Sequence, residues 1–259
     1  MIPAYDDIFR RTRLLCGDEM MAAMRHRVAV AVIGVGGVGS WCAEALVRTG
    51  IGRITLVDSD LVDVSNINRQ LPATLTTVGR PKVDVLARRL ADINPELQVT
   101  AVCGRYDADT APDFDLDAFD YVIDAIDDLP SKALLILNAC RSRARLYSSM
   151  GAARKLDPGR IAVAEFWKVT GCPLARALRN RFKKTGVRPS RKFKCVYSPE
   201  TVAHRADGPA GVNGTFMHTT AIFGLTLASL VVSDIYDKYG KITTAVKACG
   251  AGGTVLNRG

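Results

Sequence analysis

Two hydrophobic rhythms alternate along this chain. Unbroken apolar runs at 27 to 33 (RVAVAVI), 53 to 58 (RITLVD), 120 to 127 (DYVIDAID) and 145 to 149 read as strands buried on both faces of a parallel sheet. Between them, residues 38 to 49 carry helical spacing. A further helix opens at Gly79, Arg80 and Pro81, with proline in its first turn, and closes at Asn94 and Pro95, ahead of a strand near 97 to 103. Another starts at Pro130 and runs to about 144. Strands alternating with helices predict an α/β fold with a Rossmann-like, doubly wound, mainly parallel sheet.

Beyond Gly151 the pattern changes. A short strand (161 to 166), a basic stretch, the strand-like FKCVYS (193 to 198), a Gly/Pro-rich loop (207 to 214) and an apolar C-terminal helix follow one another. We expect the additional strands to extend the same sheet, so that residues 1–150 form a nucleotide-binding half and 151–259 a substrate-facing half of one compact domain. The longest apolar stretch, TTAIFGLTLASLVV at 219 to 232, has 14 residues, which is short for a membrane span and predicts a buried helix. The first thirteen residues are mostly polar and charged and do not read as a signal peptide, and the glycine-rich tail from Gly250 reads as mobile.

Composition narrows the classes. With 259 residues, 48% of them apolar, the chain can bury a sizeable core, which excludes a disordered protein. Its seven cysteines form no C-x-x-C pair and no regular frame, as expected for reduced thiols in a cytoplasmic protein without a membrane association. Residues 166 to 199 hold ten lysines and arginines and no acid, which accounts for about the whole net charge of +9. Such a segment either is a solvated face or attracts a polyanion such as RNA.

The chemistry begins at GVGGVGS. Gly34, Gly36 and Gly39 match G-x-G-x-x-G directly after a strand and before a helix, with Gly37 an extra glycine. Without Cβ atoms the backbone can approach phosphate oxygens, and the helix N-terminus offers unpaired N–H groups. Asp58 ends the next strand, where a carboxylate can accept from ribose hydroxyls. This motif fits NAD or ATP equally. The loop VSNINRQ places Asn66, Asn68, Arg69 and Gln70 just beyond the acid, and Lys82 opens the following helix. Two cations there suit a triphosphate, because both can stabilise charge on a departing pyrophosphate. Asp124 and Asp127 lie near the carboxyl end of a central strand, where a carboxylate could hold Mg²⁺ bound to phosphates.

Taken together, GVGGVGS, VDSD, SNINRQ, VGRPKVD and DAIDD resemble the E1-like adenylating enzymes, a family that includes activators of sulfur-carrier proteins. That resemblance implies that Gly37, Asp58, Asn66, Arg69, Lys82 and Asp127 bind and orient MgATP, with Asp127 on the metal. Ser65 and Asn68 of the same loop are further nucleotide candidates. So is Asp128, which stands where the family often has Asn or Ser. The resemblance also implies a homodimer in which an N-terminal arginine, here Arg11 or Arg13, enters the neighbouring subunit's ATP site.

Family members that activate ubiquitin-like carriers commonly carry two zinc-binding C-x-x-C pairs. This chain has neither, so no zinc is expected. Its second half, with KFKCVYSPE and FGLTLASLVV, is instead similar to the branch that cyclises the threonylcarbamoyl group on adenosine 37 of tRNA. The implied reaction is adenylation of the modification's carboxylate and ring closure. The implied partners are tRNA, met through basic residues 168–194, and a sulfur-relay protein. Cys195 matches a cysteine of that branch and reads either as a thioester-forming nucleophile or as a packed strand residue. His26, His204 and His218 form no evident triad and read as structural. Three rivals stand beside this reading: adenylation of a sulfur carrier's C-terminal glycine, an NAD-dependent oxidoreductase, and a non-catalytic RNA-binding module.

Overall fold

The computed structural model describes residues 4–203 and 213–240. The tail from Gly250, Cys249, His204 and most of the predicted 207–214 loop lie outside the described residues.

The chain opens with α1 (Tyr5–Ile8) and α2 (Arg10–Ala22), then enters β1 (Ala29–Ile33), all five residues of which are buried. α3 (Gly39–Thr49), β2 (Arg53–Asp58), α4 (Lys82–Ile93) and β3 (Gln98–Cys103) complete the first βαβαβ run. β4 (Tyr121–Asp124), α5 (Leu129–Arg141) and β5 (Arg145–Ser149) follow. β6 (Ala162–Glu165), α6 (Pro173–Thr185), β7 (Lys194–Tyr197) and α7 (Met217–Ile235) form the second half. The strands make one seven-stranded sheet in the order β3-β2-β1-β4-β5-β7-β6. Only β6 runs antiparallel. The connection reverses direction between β1 and β4, the position at which an open α/β sheet forms a ligand crevice.

Side chains alternate across the sheet into two cores. Val30, Val32, Ile54, Leu56, Ile123 and Val196 pack with α3, α4 and α7, while Ala31, Ile33, Val57, Val122, Leu146 and Cys195 pack with α5 and α6. α7 is held in place twice. Asp234 accepts from the Tyr147 hydroxyl and from Arg145 on β5. At the other crossing, a Cβ on Gly224 would sit 2.3 Å from the Val38 carbonyl oxygen at the head of α3, so only glycine lets the two helices approach. α7 is longer than the sequence pattern suggested. By length and apolarity alone 217–240 could cross a membrane, yet 50% of its most apolar window is buried inside the fold.

The N-terminal helices were not legible as such. They cover the base of α3, where buried Tyr5 donates to the Gly50 carbonyl at 2.5 Å beside buried Met21 and Met24. Gly17, at φ 77°, breaks α2 in the middle, and the part beyond it buries Met20 and Met21.

Substituting Gly224→Ala should push α7 off α3 and lower stability by about 1–3 kcal/mol. Urea unfolding followed by circular dichroism measures this, and an unchanged midpoint would disprove the close-approach account.

Candidate active site

The four glycines after β1 do different work. Gly34, at φ 90°, and Gly39 are required by backbone contacts: a Cβ on Gly34 would lie 2.7 Å from the Ala125 carbonyl oxygen, and one on Gly39 only 1.8 Å from that of Gly34. Gly36 and Gly37 face the loop after β2. A Cβ on Gly37 would come within 3.3 Å of Arg69 Cγ and 3.4 Å of Thr220 on α7. The glycine turn is thus a floor on which Arg69 and the first turn of α7 converge.

Asp58 ties the turn to β2. Its carboxylate accepts from the Val35 N–H at 2.8 Å and from the Asp60 N–H at 2.9 Å, leaving lone pairs for further donors. The loop beyond is rigidified locally: Asp63 accepts from the Ser65 N–H, and the Asn66 side chain accepts from the Asp63 N–H. The Ser65 hydroxyl and N–H hold the Asp63 carboxyl below its ordinary range. Arg69 folds back over this loop, donating to the Ser65 carbonyl and to Asn68 Oδ1, each at 2.9 Å. Asn68 in turn donates to the Thr215 carbonyl, joining the loop to the segment before α7. Lys82 is 5% exposed and pairs with Asp60 at 2.7 Å, two residues past Asp58.

The residue pattern alone offers Asp124 and Asp127 alike, the family resemblance chooses Asp127, and the structure separates the two. Asp124 is fully buried and does not face the crevice. It pairs with equally buried Lys132 at 2.8 Å, and accepts from Ser148 Oγ at 2.6 Å and from the Ile126 N–H at 3.2 Å. Lys132 also donates to the Ile126 carbonyl at 2.9 Å. Asp128 caps α5, accepting from the Ser131 N–H at 3.0 Å, and that N–H holds its carboxyl below the usual range. Asp127, pinned between these two anchors, is exposed and has no partner among the described residues.

Other candidates stand apart from this cluster. Cys195 is fully buried on β7 opposite Ser148 of β5, and burial pushes its thiol well above the ordinary value, which makes it a packed strand residue in this conformation. Arg13 is engaged with Asp18, whereas Arg11 is exposed and has no partner among the described residues. In the basic segment, Arg179 donates to the carbonyls of Phe166 and Val169, and Arg191 to those of Ala139 and Ala144. Those two cations are structural, while Lys168, Arg176, Arg181, Lys183, Lys184, Arg188, Lys192 and Lys194 are exposed. His218 is not in the core either; it lies on the rim of the crevice, bonded to the Leu156 carbonyl.

Sequence reasoning missed Lys132, Ser148 and Thr220, and placed Gln70 in the loop without giving it a role; it is 8% exposed beside Gly36, with a buried Oε1 that has no partner among the described residues. The available signal was a lysine on the buried face of α5. Among the described residues no group of three His, Cys, Asp or Glu side chains could hold a metal by itself. Asp127 could therefore serve a cation only together with ligands brought by a bound phosphate.

A model of the ThiF family matches residues 9–247. The chain belongs to the ThiF family. Within this family it is 44% identical over 193 residues to a tRNA threonylcarbamoyladenosine dehydratase of Bacillus subtilis, covering 74% of this chain and 75% of that one. It is 43% identical over 211 residues to the Escherichia coli enzyme of the same name, covering 79% and 78%. A crystal structure of the E. coli dehydratase in complex with ATP superposes with a TM-score of 0.82 at 35% identity over 92% of this chain and 97% of that one.

Removing one partner of the buried Lys132–Asp124 pair leaves an uncompensated charge under the Asp127 loop. Lys132→Met should lower stability by about 3–5 kcal/mol in urea titration. A loss below about 1 kcal/mol would mean that Asp124 is neutral or hydrated in the fold.

Proposed function

We propose that this chain adenylates the carboxylate of N6-threonylcarbamoyladenosine at position 37 of tRNA and closes it into a ring with loss of water. The observation that carries this reading is the Arg69 side chain lying against Gly37 of the phosphate turn. An arginine over a glycine-floored turn suits a polyphosphate, and Lys82, held near the turn through Asp60, supplies a second cation.

The chemistry follows from charge. A carboxylate is a poor electrophile because oxide would have to leave. Attack of its oxygen on the α-phosphorus of ATP forms an acyl-adenylate and releases pyrophosphate, whose growing charge Arg69 and Lys82 offset. The carbamoyl nitrogen or oxygen then attacks the acyl carbon, AMP leaves, and one proton is lost. That second step is intramolecular, so positioning supplies much of its rate. Gly36 and Gly37 would admit the phosphates, Asp58 would accept from the ribose, and Ser65, Asn66 and Asn68 would shape the loop that carries Arg69. Asp127, unpartnered on a braced loop, fits a Mg²⁺ ion shared with the phosphates, and such an ion would neutralise phosphate charge. On this reading Asp128 acts as a helix cap beside the nucleotide, not on it.

The same reading places residues 1–150 around ATP and the remainder around the substrate. Eight exposed cations between 168 and 194 support a tRNA contact there. A homodimer is supported by Arg11, unpaired among the described residues while Arg13 is paired, and by the neighbouring Leu14 and Leu15, which are 81% and 80% exposed. Arg11 is therefore the arginine we assign to the partner's ATP site. The free thiols of the six described cysteines support a cytoplasmic setting. A sulfur-relay partner rests on the family resemblance alone.

Incubation with ATP, Mg²⁺ and tRNA carrying threonylcarbamoyladenosine should release AMP and pyrophosphate and yield a nucleoside lighter by one water. Arg69→Ala and Lys82→Ala should each slow this by about a hundredfold or more. Pyrophosphate exchange stimulated by a sulfur-carrier protein and not by modified tRNA would overturn the assignment.

If Arg11 acts in the partner's site, mixing inactive Arg11→Ala with inactive Lys82→Ala should restore activity through hybrid dimers carrying one intact site. No recovery in a mixture shown to exchange subunits would refute the shared site.

A further inference from the structure

At the mouth of the crevice two rings lie open where the ATP chemistry does not use them. Phe216, immediately before α7, is 55% exposed, and its ring stacks on that of His218 with centroids 5.6 Å apart and planes 24° apart. The pair is fixed to the rest of the site. His218 Nε2 is bonded to the Leu156 carbonyl at 3.1 Å. The Thr215 carbonyl, one residue before Phe216, accepts from Asn68 of the arginine-bearing loop. Thr220, one turn beyond, rests against Gly37 of the phosphate turn. Leu156 and Met217, at 50% and 41% exposed, continue the apolar surface.

The scaffold beneath is braced by polar contacts. The Gly214 carbonyl accepts from the Arg154 N–H at 3.0 Å, and Arg154 Nε donates to the Val202 carbonyl. Glu200 accepts from the N–H groups of Leu156 and Asp157, which hold its carboxyl below the ordinary range. An aromatic ring more than half exposed on so firm a support costs hydration free energy unless something covers it.

We propose that Phe216, backed by His218, is the stacking platform for the unpaired purine that carries the carboxylate to be adenylated. This rests on the function proposed above and names how its substrate is held. Unpaired bases in RNA loops are commonly bound by stacking on aromatic side chains, because each base presents a π face regardless of its edges. A substituent on the exocyclic N6 leaves the purine at its edge, so stacking occupies a face and leaves the appended carboxylate free to turn toward the phosphate turn beside Thr220. An extended peptide, by contrast, is usually held by main-chain hydrogen bonds along a strand edge, which these two rings do not offer.

The test uses the full-length chain with Phe216→Ala, Phe216→Trp and His218→Ala. With modified tRNA as substrate, Phe216→Ala should raise the KM for tRNA about tenfold or more while the KM for ATP stays within twofold, and Phe216→Trp should restore it. His218→Ala should give a smaller rise in the same direction. Indole emission of the Phe216→Trp variant should be quenched by an RNA hairpin displaying the modified purine, beyond any quench of the natural chain, and less by a fully paired duplex. This readout needs no turnover, so it judges the platform even where the wild type fails to consume ATP with tRNA, a failure that would fall on the proposed reaction alone. An unchanged KM for tRNA in Phe216→Ala, an equal rise in both KM values, or quenching by a carrier-protein tail and not by the hairpin would each overturn the proposal.

Discussion

Three stretches of backbone meet at the head of the central strand with no room for a side chain between them. Gly39 lies over the carbonyl of Gly34, and Gly34 lies against the carbonyl of Ala125. The end of β1, the start of α3 and the end of β4 are therefore fixed relative to one another by van der Waals exclusion before any polar contact is considered. The buried Lys132–Asp124–Ser148 cluster then locks the Ala125–Ile126 backbone from beneath, and Asp58 locks Val35 from the side. Every candidate group in the crevice hangs from one of these three stretches or from a loop bonded to them. A buried ion pair is poor evidence of net stability, since desolvation offsets most of its attraction. Its value here is geometric, because it fixes where Asp127 begins.

The cations of the site rest on partners that phosphate can replace. Arg69 holds only a backbone carbonyl and an amide oxygen, both neutral acceptors, so a charged phosphate oxygen offers it a stronger bond. Lys82 is buried, but its partner Asp60 is 61% exposed and screened by water, which weakens that ion pair as a competitor. Both side chains are already ordered, which lowers the entropic cost of gripping a ligand.

Much of the first half was legible because its signals are local. A strand buried on both faces reads as an apolar run, a nucleotide turn needs glycine at fixed spacing, and Pro81 precedes the helix that begins at Lys82. What escaped was whatever depends on contacts remote in sequence. Asp124 and Asp127 look interchangeable in DAIDD, yet Asp124 is the last residue of β4 and turns into the core, while Asp127 stands three residues on in a loop. Cys195 could be a nucleophile or a core residue until the register against Ser148 buries it. Arg179 and Arg191 look like any other cation of the basic segment, although each clasps backbone carbonyls. The N-terminal helices escaped for a different reason: α2 is interrupted at Gly17, with Leu14 and Leu15 exposed before it and Met20 and Met21 buried after it, so no single apolar stripe runs through the helix.

The closeness of Thr220 to Gly37 brings the two halves of the chain together at one crevice. The first half carries the glycine turn, both cations and Asp127, whereas the second half contributes to that turn little more than one threonine and the strip leading to it. Side chains along that strip can accordingly be exchanged while the glycine turn, Arg69, Lys82 and Asp127 stay as they are. A scaffold divided in this way is open to retargeting, with new acids brought to an old activating centre by redrawing a single border of it.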